Sequence, residues 1–104
     1  MIPLRRVTRP TVDVLEVLLA SAEPLWGLRI ITATGRQPGT VYPILERLES
    51  QGWLTSTWEE DASRPGPRRR FHVLTPDGRA AALDTCRELD RRSVAAARGR
   101  WVTP

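Results

Sequence analysis

Segment 64–70 carries a dense positive charge, with four arginines and no carboxylate. They are Arg64, Arg68, Arg69 and Arg70. A guanidinium group presents a planar set of donors that suits phosphates and guanine edges. The Pro-Gly-Pro sequence at 65–67 interrupts strand pairing, so we expect a loop that can follow a sugar-phosphate backbone or insert an arginine into a minor groove. The alternative is a solvated turn that is neutralised by the carboxylates of Glu59, Glu60 and Asp61.

A second candidate surface lies at the start of a helix that the sequence predicts from Pro38 to Gln51. On a helical wheel, the apolar residues Val41, Ile44, Leu45 and Leu48 form one stripe, and small and polar residues occupy the opposite side. Free N–H groups and the helix dipole favour an anion at such an end, which can also enter a major groove. The candidates for DNA contact are Gln37, Gly39, Thr40, Tyr42, Pro43 and Arg47. The alternative is an ordinary exposed helix whose polar side is solvated.

Pro43 lies inside this predicted helix, where a proline removes one backbone hydrogen bond and crowds the carbonyl four residues earlier. That carbonyl belongs to Gly39, which relieves part of the crowding. The wheel places Pro43 on the outward side. The sequence therefore predicts a small apolar projection on the face that is the candidate for DNA contact.

Catalytic and metal-binding chemistry has little support in the sequence. One histidine, His72, and one cysteine, Cys86, are too few for a Cys/His zinc site, and a lone cysteine excludes an internal disulfide. We interpret His72 as a strand residue and Cys86 as a small buried apolar residue. No glycine motif that would hold a phosphate stands out. We therefore expect neither an enzyme nor a bound metal or other cofactor.

The composition indicates a single small domain. A chain of 104 residues with 40% apolar residues supports one core of marginal size, so we expect an oligomer that buries further area. Its basic charge comes from sixteen arginines and no lysine, which suits nucleic acid, although a codon bias explains the missing lysines equally well. No apolar run approaches the ~18 residues that span a membrane, so we expect a cytoplasmic protein without membrane contact.

Hydrophobic periodicity predicts three short helices, then a hairpin and a final helix. The first helix starts near Thr11, the second ends at Gly35, and Gly52 follows the end of the third. Alternating patterns on both sides of the basic loop predict two strands, and Thr75 caps the last helix. This order is typical of a mainly α (α+β) winged helix-turn-helix fold, with three helices, a two-stranded β-hairpin wing and a C-terminal helix for dimerisation.

The tryptophans and one glycine give further predictions about packing. Trp26, Trp53 and Trp58 are interpreted as core residues, whereas Trp101 is expected either across a dimer seam or in a disordered end. Gly27 suggests close packing against a neighbouring element.

Two stretches carry a family resemblance; they are LWGLRIITATGRQPGTVYPILERLESQGWLTSTWEE and GPRRRFHVLTPDGRAAL. Over about Val12 to Leu83 the chain resembles the PadR family of bacterial transcriptional regulators, and PGTVYPILERLESQGWL is the most specific part of the match. It departs from the family pattern at Gln37, where relatives often have a serine cap, and at Trp26, where they usually have tyrosine.

The resemblance implies a winged helix-turn-helix whose recognition helix contains Thr40, Tyr42 and Pro43, and whose basic wing contains Arg69 and Arg70. It also implies a C-terminal helix used for dimerisation. Relatives usually repress promoters, and many respond to small phenolic or drug-like effectors. With only one helix after the hairpin, an effector of this chain is expected in the dimer interface.

We therefore predict a homodimeric repressor that binds a near-palindromic operator in double-stranded DNA, with recognition helices about 34 Å apart. Its DNA-binding domain comprises residues 1–75 and its dimerisation helix residues 76–104. The dimer seam is expected to include Val12, Leu15, Leu19, Leu83 and Leu89. The alternative is a winged-helix adaptor whose arginines bind an acidic protein partner and not DNA.

Overall fold

The structure is a computed structural model that describes residues 1–60 and 63–101, with side chains as far as residue 98. Its elements in chain order are α1 (Arg9–Ala20), β1 (Leu25–Trp26), α2 (Gly27–Thr34), α3 (Pro38–Ser50), β2 (Leu54–Trp58), β3 (Arg70–Leu74) and α4 (Pro76–Trp101). The predicted winged helix-turn-helix architecture is confirmed. Among the described residues, no helix has both the length and the apolar character needed to cross a membrane.

The sheet has three antiparallel strands in the order β1-β3-β2, one more than predicted. Strand β1 has only two residues, which is too short to produce a periodic pattern in the sequence. Leu25 pairs with His72 and Trp26 with Phe71. The start of α2 is thereby attached directly to the hairpin.

Local signals set the ends of the helices largely as predicted. The Thr8 hydroxyl accepts a hydrogen bond from the Thr11 amide, so α1 begins two residues earlier than expected. Gly35 ends α2 in the left-handed conformation, with φ of 68°. Gln37 makes no side-chain cap at α3, in agreement with its departure from serine. The Thr75 hydroxyl accepts from the Gly78 amide at 2.9 Å and caps α4.

The core forms between α1, α2, α3, the sheet and the first half of α4. All four residues of the predicted α3 stripe are buried, as are Trp53 and Cys86. Burial, with smaller contributions from Glu16 and Asp90, raises the pKa of the Cys86 thiol to about 11, so the thiol is protonated at neutral pH. The interpretation of Cys86 as a buried apolar residue is confirmed.

Two packing predictions are wrong. Val12 and Leu15 have no exposed surface even in a single chain, so they cannot form a dimer seam. Trp58 is 55% exposed and does not belong to the core. It lies on the same side of β2 as buried Leu54, but about 13 Å further along the strand, at the end next to the connecting loop.

The α4 helix approaches the start of β2 closely at Gly78. A β-carbon there would overlap the Trp53 carbonyl oxygen. Because backbone must move to relieve this overlap, we expect Gly78→Ala to lower the free energy of unfolding by about 1–3 kcal/mol. Urea denaturation measures this. Gly39→Ala is the matched control, since nothing lies within 4 Å of its added β-carbon and its stability should change little; equal losses in both variants would contradict the steric explanation.

Candidate nucleic-acid interface

The outward side of α3 is exposed where the sequence predicts it. Gly39, Tyr42, Pro43 and Arg47 are exposed, and Thr40 is half-buried. A β-carbon built at Gly39 would have no neighbouring atom within 4 Å, so this end of the helix is narrow and open to solvent. Predicted contact residue Gln37 is also exposed, at the N-cap position of α3. Pro38 has no N–H, and the Thr40 and Val41 amides donate to the Gln37 carbonyl at 2.9 and 3.0 Å. The helix start therefore presents the Gly39 amide and small side chains to solvent.

Tyr42 of α3 contacts the N-terminal end of α2. A β-carbon on Gly27 would lie 2.6 Å from Cε1 of the tyrosine ring and 3.0 Å from its hydroxyl oxygen. Only glycine permits this approach, so the close packing predicted at Gly27 is confirmed and its partner is identified. The contact fixes the tyrosine ring between the outward face of α3 and the N-terminal end of α2.

We define the wing as β2, β3 and the connecting segment 59–69. Within it, Arg64 is bound by other residues of the wing. Its Nε donates to Glu59 Oε1 at 2.8 Å, and its other nitrogens donate to the Pro65 and Pro67 carbonyls at 2.9 and 2.6 Å. Glu59 neutralises one wing arginine, as the alternative interpretation of this loop expected; Asp61 lies outside the described residues. Arg64 therefore shapes the wing and is a poor candidate for a phosphate contact.

Arg70 connects the wing to α3. Its Nε donates to the Ser56 hydroxyl at 2.8 Å, and its Nη2 lies 3.2 Å from Glu49 Oε2. Ser56 also donates to Glu49, which closes a triangle of side chains. The Ser56 hydrogen bond and the charge of Arg70 lower the pKa of Glu49 despite its partial desolvation. The network sets the position of the wing relative to α3.

Arg69 stacks on an aromatic ring. Its guanidinium carbon lies 3.9 Å from the centroid of a Trp26 ring, a cation–π distance. The Nε atom of Arg69 is buried and has no hydrogen-bond partner among the described residues. The stack holds the Arg69 guanidinium next to the start of α2.

Two arginines of this surface, Arg68 and Arg47, take part in no ion pair and no ring contact among the described residues. Both are exposed, and within the described ranges neither forms an ion pair. One lies on the wing and the other on the outward side of α3. They are therefore the arginines best able to neutralise phosphates without first breaking a contact in the protein.

His72 is the buried titratable group behind this surface. Burial lowers its pKa below the ordinary value of 6.5, and the nearby charge of Arg70 adds to the effect while Glu49 opposes it. His72 and Leu74 face inward, whereas Val73 is exposed. The interpretation of His72 as a strand residue is confirmed by its place in β3.

The depressed pKa of His72 predicts a pH-dependent stability. The unfolded chain takes up a proton near pH 6.5, before the folded chain does, so stability that is complete above this pH decreases as the pH falls below it. His72→Gln, which cannot titrate, should remove most of the decrease between about pH 7.5 and about pH 5.5. Urea denaturation across this range checks it. The same slope in both proteins would show that another group is responsible.

Sequence reasoning found the exposed arginines and the α3 surface but missed their partners. Glu49, Ser56 and Trp26 organise the wing arginines, and the sequence pattern contains no signal for these pairings. Glu49 follows the amphipathic pattern as an ordinary polar helix residue. Only the fold brings it next to Arg70, which is 21 residues away.

Comparison with known proteins identifies a family. The model of the Transcriptional regulator PadR-like family matches residues 14–84. Transcriptional regulator Rv3488 of Mycobacterium tuberculosis (strain ATCC 25618 / H37Rv) is 45% identical over 53 residues, which are 51% of this chain and 47% of that protein. The match thus spans about half the length of this curated relative.

Solved structures share the fold. A PadR family transcription regulator from hypervirulent Clostridium difficile R20291 has a TM-score of 0.65 and 21% identity, covering 88% of this chain and 98% of that chain. Bordetella bronchiseptica BpsR, whose DNA binding is regulated by 6-hydroxynicotinic acid, has a TM-score of 0.70 and 22% identity, covering 90% of this chain and 63% of that chain.

Proposed function

Because the chain belongs to the PadR-like family of transcriptional regulators, which are not enzymes, we propose that it is a homodimeric repressor that binds a near-palindromic operator. Residues 1–75 form its DNA-binding part and residues 76–104 its dimerisation helix. The observation that carries the proposal is the exposed N-terminal end of α3 beside a wing that offers an arginine with no ion pair in the described part of the chain. Such a protein acts in the cytoplasm, where the DNA is.

In this proposal α3 enters the major groove. Its narrow end brings the Gly39 amide near a phosphate. Thr40, Tyr42 and Pro43 lie against base edges, and Arg47 reaches a guanine or a phosphate. Gln37 and Gly39 contact the backbone at the helix start. The exposure of this face supports these roles.

The wing follows the neighbouring sugar-phosphate backbone. Arg68 provides the main phosphate contact because it is exposed and has no ion pair among the described residues. Arg69, held against the Trp26 ring, adds a further positive charge to the wing. Arg64 and Arg70, which are held by Glu59 and Glu49, position the wing and contribute less binding.

The dimer is proposed to form through α4. This helix has 26 residues and the described chain measures 65 × 27 × 23 Å, so the helix projects from the body. Side chains 91–98 are all exposed, and an unsupported helix of this kind is marginally stable alone. Leu83 and Val94, which are 39% and 51% exposed, lie about three turns apart on one face and suit a helix–helix seam.

Two other predicted seam residues, Leu19 and Leu89, are partly buried and pack against the core of their own chain. They therefore lie beneath the proposed seam surface. Trp101 lies outside the residues whose side chains are described. Two α3 helices related by the dimer axis would then stand about 34 Å apart, one turn of DNA.

We also propose that a small molecule modulates DNA binding. BpsR, with the same fold, is regulated in this way by 6-hydroxynicotinic acid. A ligand that binds only the DNA-free form releases the operator by mass action.

The test is selection of bound fragments from genomic DNA by the full chain. We expect enrichment of fragments that share one near-palindromic sequence, and repression of a reporter placed behind such a fragment. Tyr42→Ala/Pro43→Ala serves as the matched variant, because both side chains are exposed on the proposed reading face. An empty selection would favour the adaptor that binds an acidic protein.

A further inference from the structure

The side chain of Arg70 is held in place by two neighbouring elements at once. Its Nη2 lies 3.2 Å from Glu49 Oε2 on α3, and its Nε donates to the Ser56 hydroxyl on β2 at 2.8 Å. Ser56 donates in turn to Oε1 of Glu49. The guanidinium carbon of Arg70 also lies 5.2 Å from the centroid of a Trp58 ring, a cation–π distance. Three side chains from α3 and β2 thus fix the position of this positive charge.

The Glu49–Arg70 ion pair is held but not buried. The side chain of Arg70 is 43% exposed and that of Glu49 is 33% exposed. Ion pairs that are exposed to this degree contribute little to stability, because water screens the two charges. A guanidinium group binds a phosphate through the same hydrogen bonds that it donates to a carboxylate. Glu49 therefore competes with any nearby phosphate for Arg70.

The ion pair lies in the cleft between α3 and the wing. Glu46 and Glu49 line the α3 side of this cleft, and Arg68 and Arg70 line the wing side. In the proposed complex α3 enters the major groove while the wing follows the neighbouring sugar-phosphate backbone, so the backbone passes the opening of the cleft. Arg68 is available for that backbone because it forms no ion pair among the described residues. A released Arg70 would provide a second cation there.

We propose that Glu49 restrains non-specific DNA binding by withholding Arg70 from phosphates. A phosphate contact carries no sequence information, so a free Arg70 would strengthen binding to every DNA sequence. In the operator complex the Glu49–Arg70 pair stays closed and keeps the wing in position relative to α3. Glu49 is thus a positioning residue that acts through Arg70. This inference rests on the proposed function.

The test is the binding of Glu49→Gln to a selected near-palindromic duplex and to a scrambled duplex of equal length, followed by fluorescence anisotropy. For the scrambled duplex we expect the slope of log affinity against log salt to steepen by about 0.9 for each arginine released. A contact of this slope corresponds to a gain of up to about eightfold in affinity at about 0.1 M salt. The selected duplex should gain less, because the wing is no longer tied to α3.

Two further variants separate the release of Arg70 from the simple loss of a negative charge. Glu46→Gln is the matched control, because Glu46 is an exposed carboxylate one turn earlier on α3 and forms no ion pair within the described ranges. It reports only the relief of repulsion between a carboxylate and DNA, so its gain should be smaller. In an Arg70→Ala background, Glu49→Gln should gain no more than Glu46→Gln does, since no arginine is released. Damage to the fold would lower the affinity and cannot imitate the expected gain.

The outcomes distinguish this inference from the proposed function. If wild type preferred the selected duplex but Glu49→Gln bound the scrambled duplex no more tightly, the inference would be overturned and the proposed function would stand. The same gain in Glu46→Gln, or an undiminished gain without Arg70, would also overturn it. If wild type bound both duplexes equally and Glu49→Gln still gained affinity through Arg70, the restraint would stand and the proposed function would fail. Binding of neither duplex by wild type would refute both.

Discussion

Arg47→Ala/Arg68→Ala is expected to bind operator DNA much more weakly than wild type and with a flatter salt dependence. These arginines are exposed and form no ion pair among the residues described, so their full charge is available to phosphates. Removing one phosphate interaction should reduce the slope of log affinity against log salt by about 0.9, and in a dimer each substitution removes the interaction from both subunits. Fluorescence anisotropy between about 50 and about 200 mM salt measures both effects.

Two single variants sharpen this result. Arg64→Ala removes an arginine that is already bound to Glu59 and two carbonyls, so its slope should change less than that of Arg68→Ala. Arg92→Ala removes an exposed α4 charge outside the proposed DNA surface, about 180° around the helix from Leu83, and should leave the slope unchanged. A larger effect from Arg64 than from Arg68 would contradict the assignment of the wing arginines.

Leu83→Glu/Val94→Glu is expected to produce a monomer with little affinity for the operator. Burying an apolar side chain of this size contributes about 1.5–3 kcal/mol, and a charge in its place must be desolvated in the seam. The dimer should dissociate at concentrations where wild type remains dimeric. A monomer engages one half-site and loses the gain in effective concentration that the second one provides. Sedimentation velocity and anisotropy measure the two consequences.

Val73→Glu is the matched control for the dimer variant. Val73 is exposed to a similar degree, at 42%, but lies on the outer face of β3 and not on α4. It should leave both the oligomeric state and the fold unchanged. If Leu83→Glu/Val94→Glu remained dimeric, the dimer would have to form through another surface.

Where a segment repeats a regular pattern, its structure could be predicted from the sequence. The α3 stripe, the Gly35 cap and the Thr75 cap are all local signals, and the structure confirms each. Strand β1 could not be predicted because two residues carry no period. Val12 and Leu15 were apolar positions on a helix, and periodicity alone does not show whether such a face meets its own core or a second chain.

Charge pairing depends on the tertiary structure. The sequence predicted four basic residues in segment 64–70, and the fold gives each a different environment. Arg64 is bound by Glu59, Arg69 stacks on Trp26, Arg70 is bound by Glu49, and Arg68 has no ion pair within the described part of the chain. Residues distant in sequence supply the Trp26 and Glu49 interactions. The proposed division between positioning and binding arginines therefore required the structure.

The most direct test of the central claim compares the affinity of the wild-type chain for a selected near-palindromic duplex and for a scrambled duplex of equal length, across a range of salt concentrations. We predict that the selected duplex binds at least about 10³-fold more tightly, and that both affinities fall steeply with salt. Equal affinity for the two duplexes, or affinity that does not respond to salt, would contradict sequence-specific DNA binding by α3 and the wing.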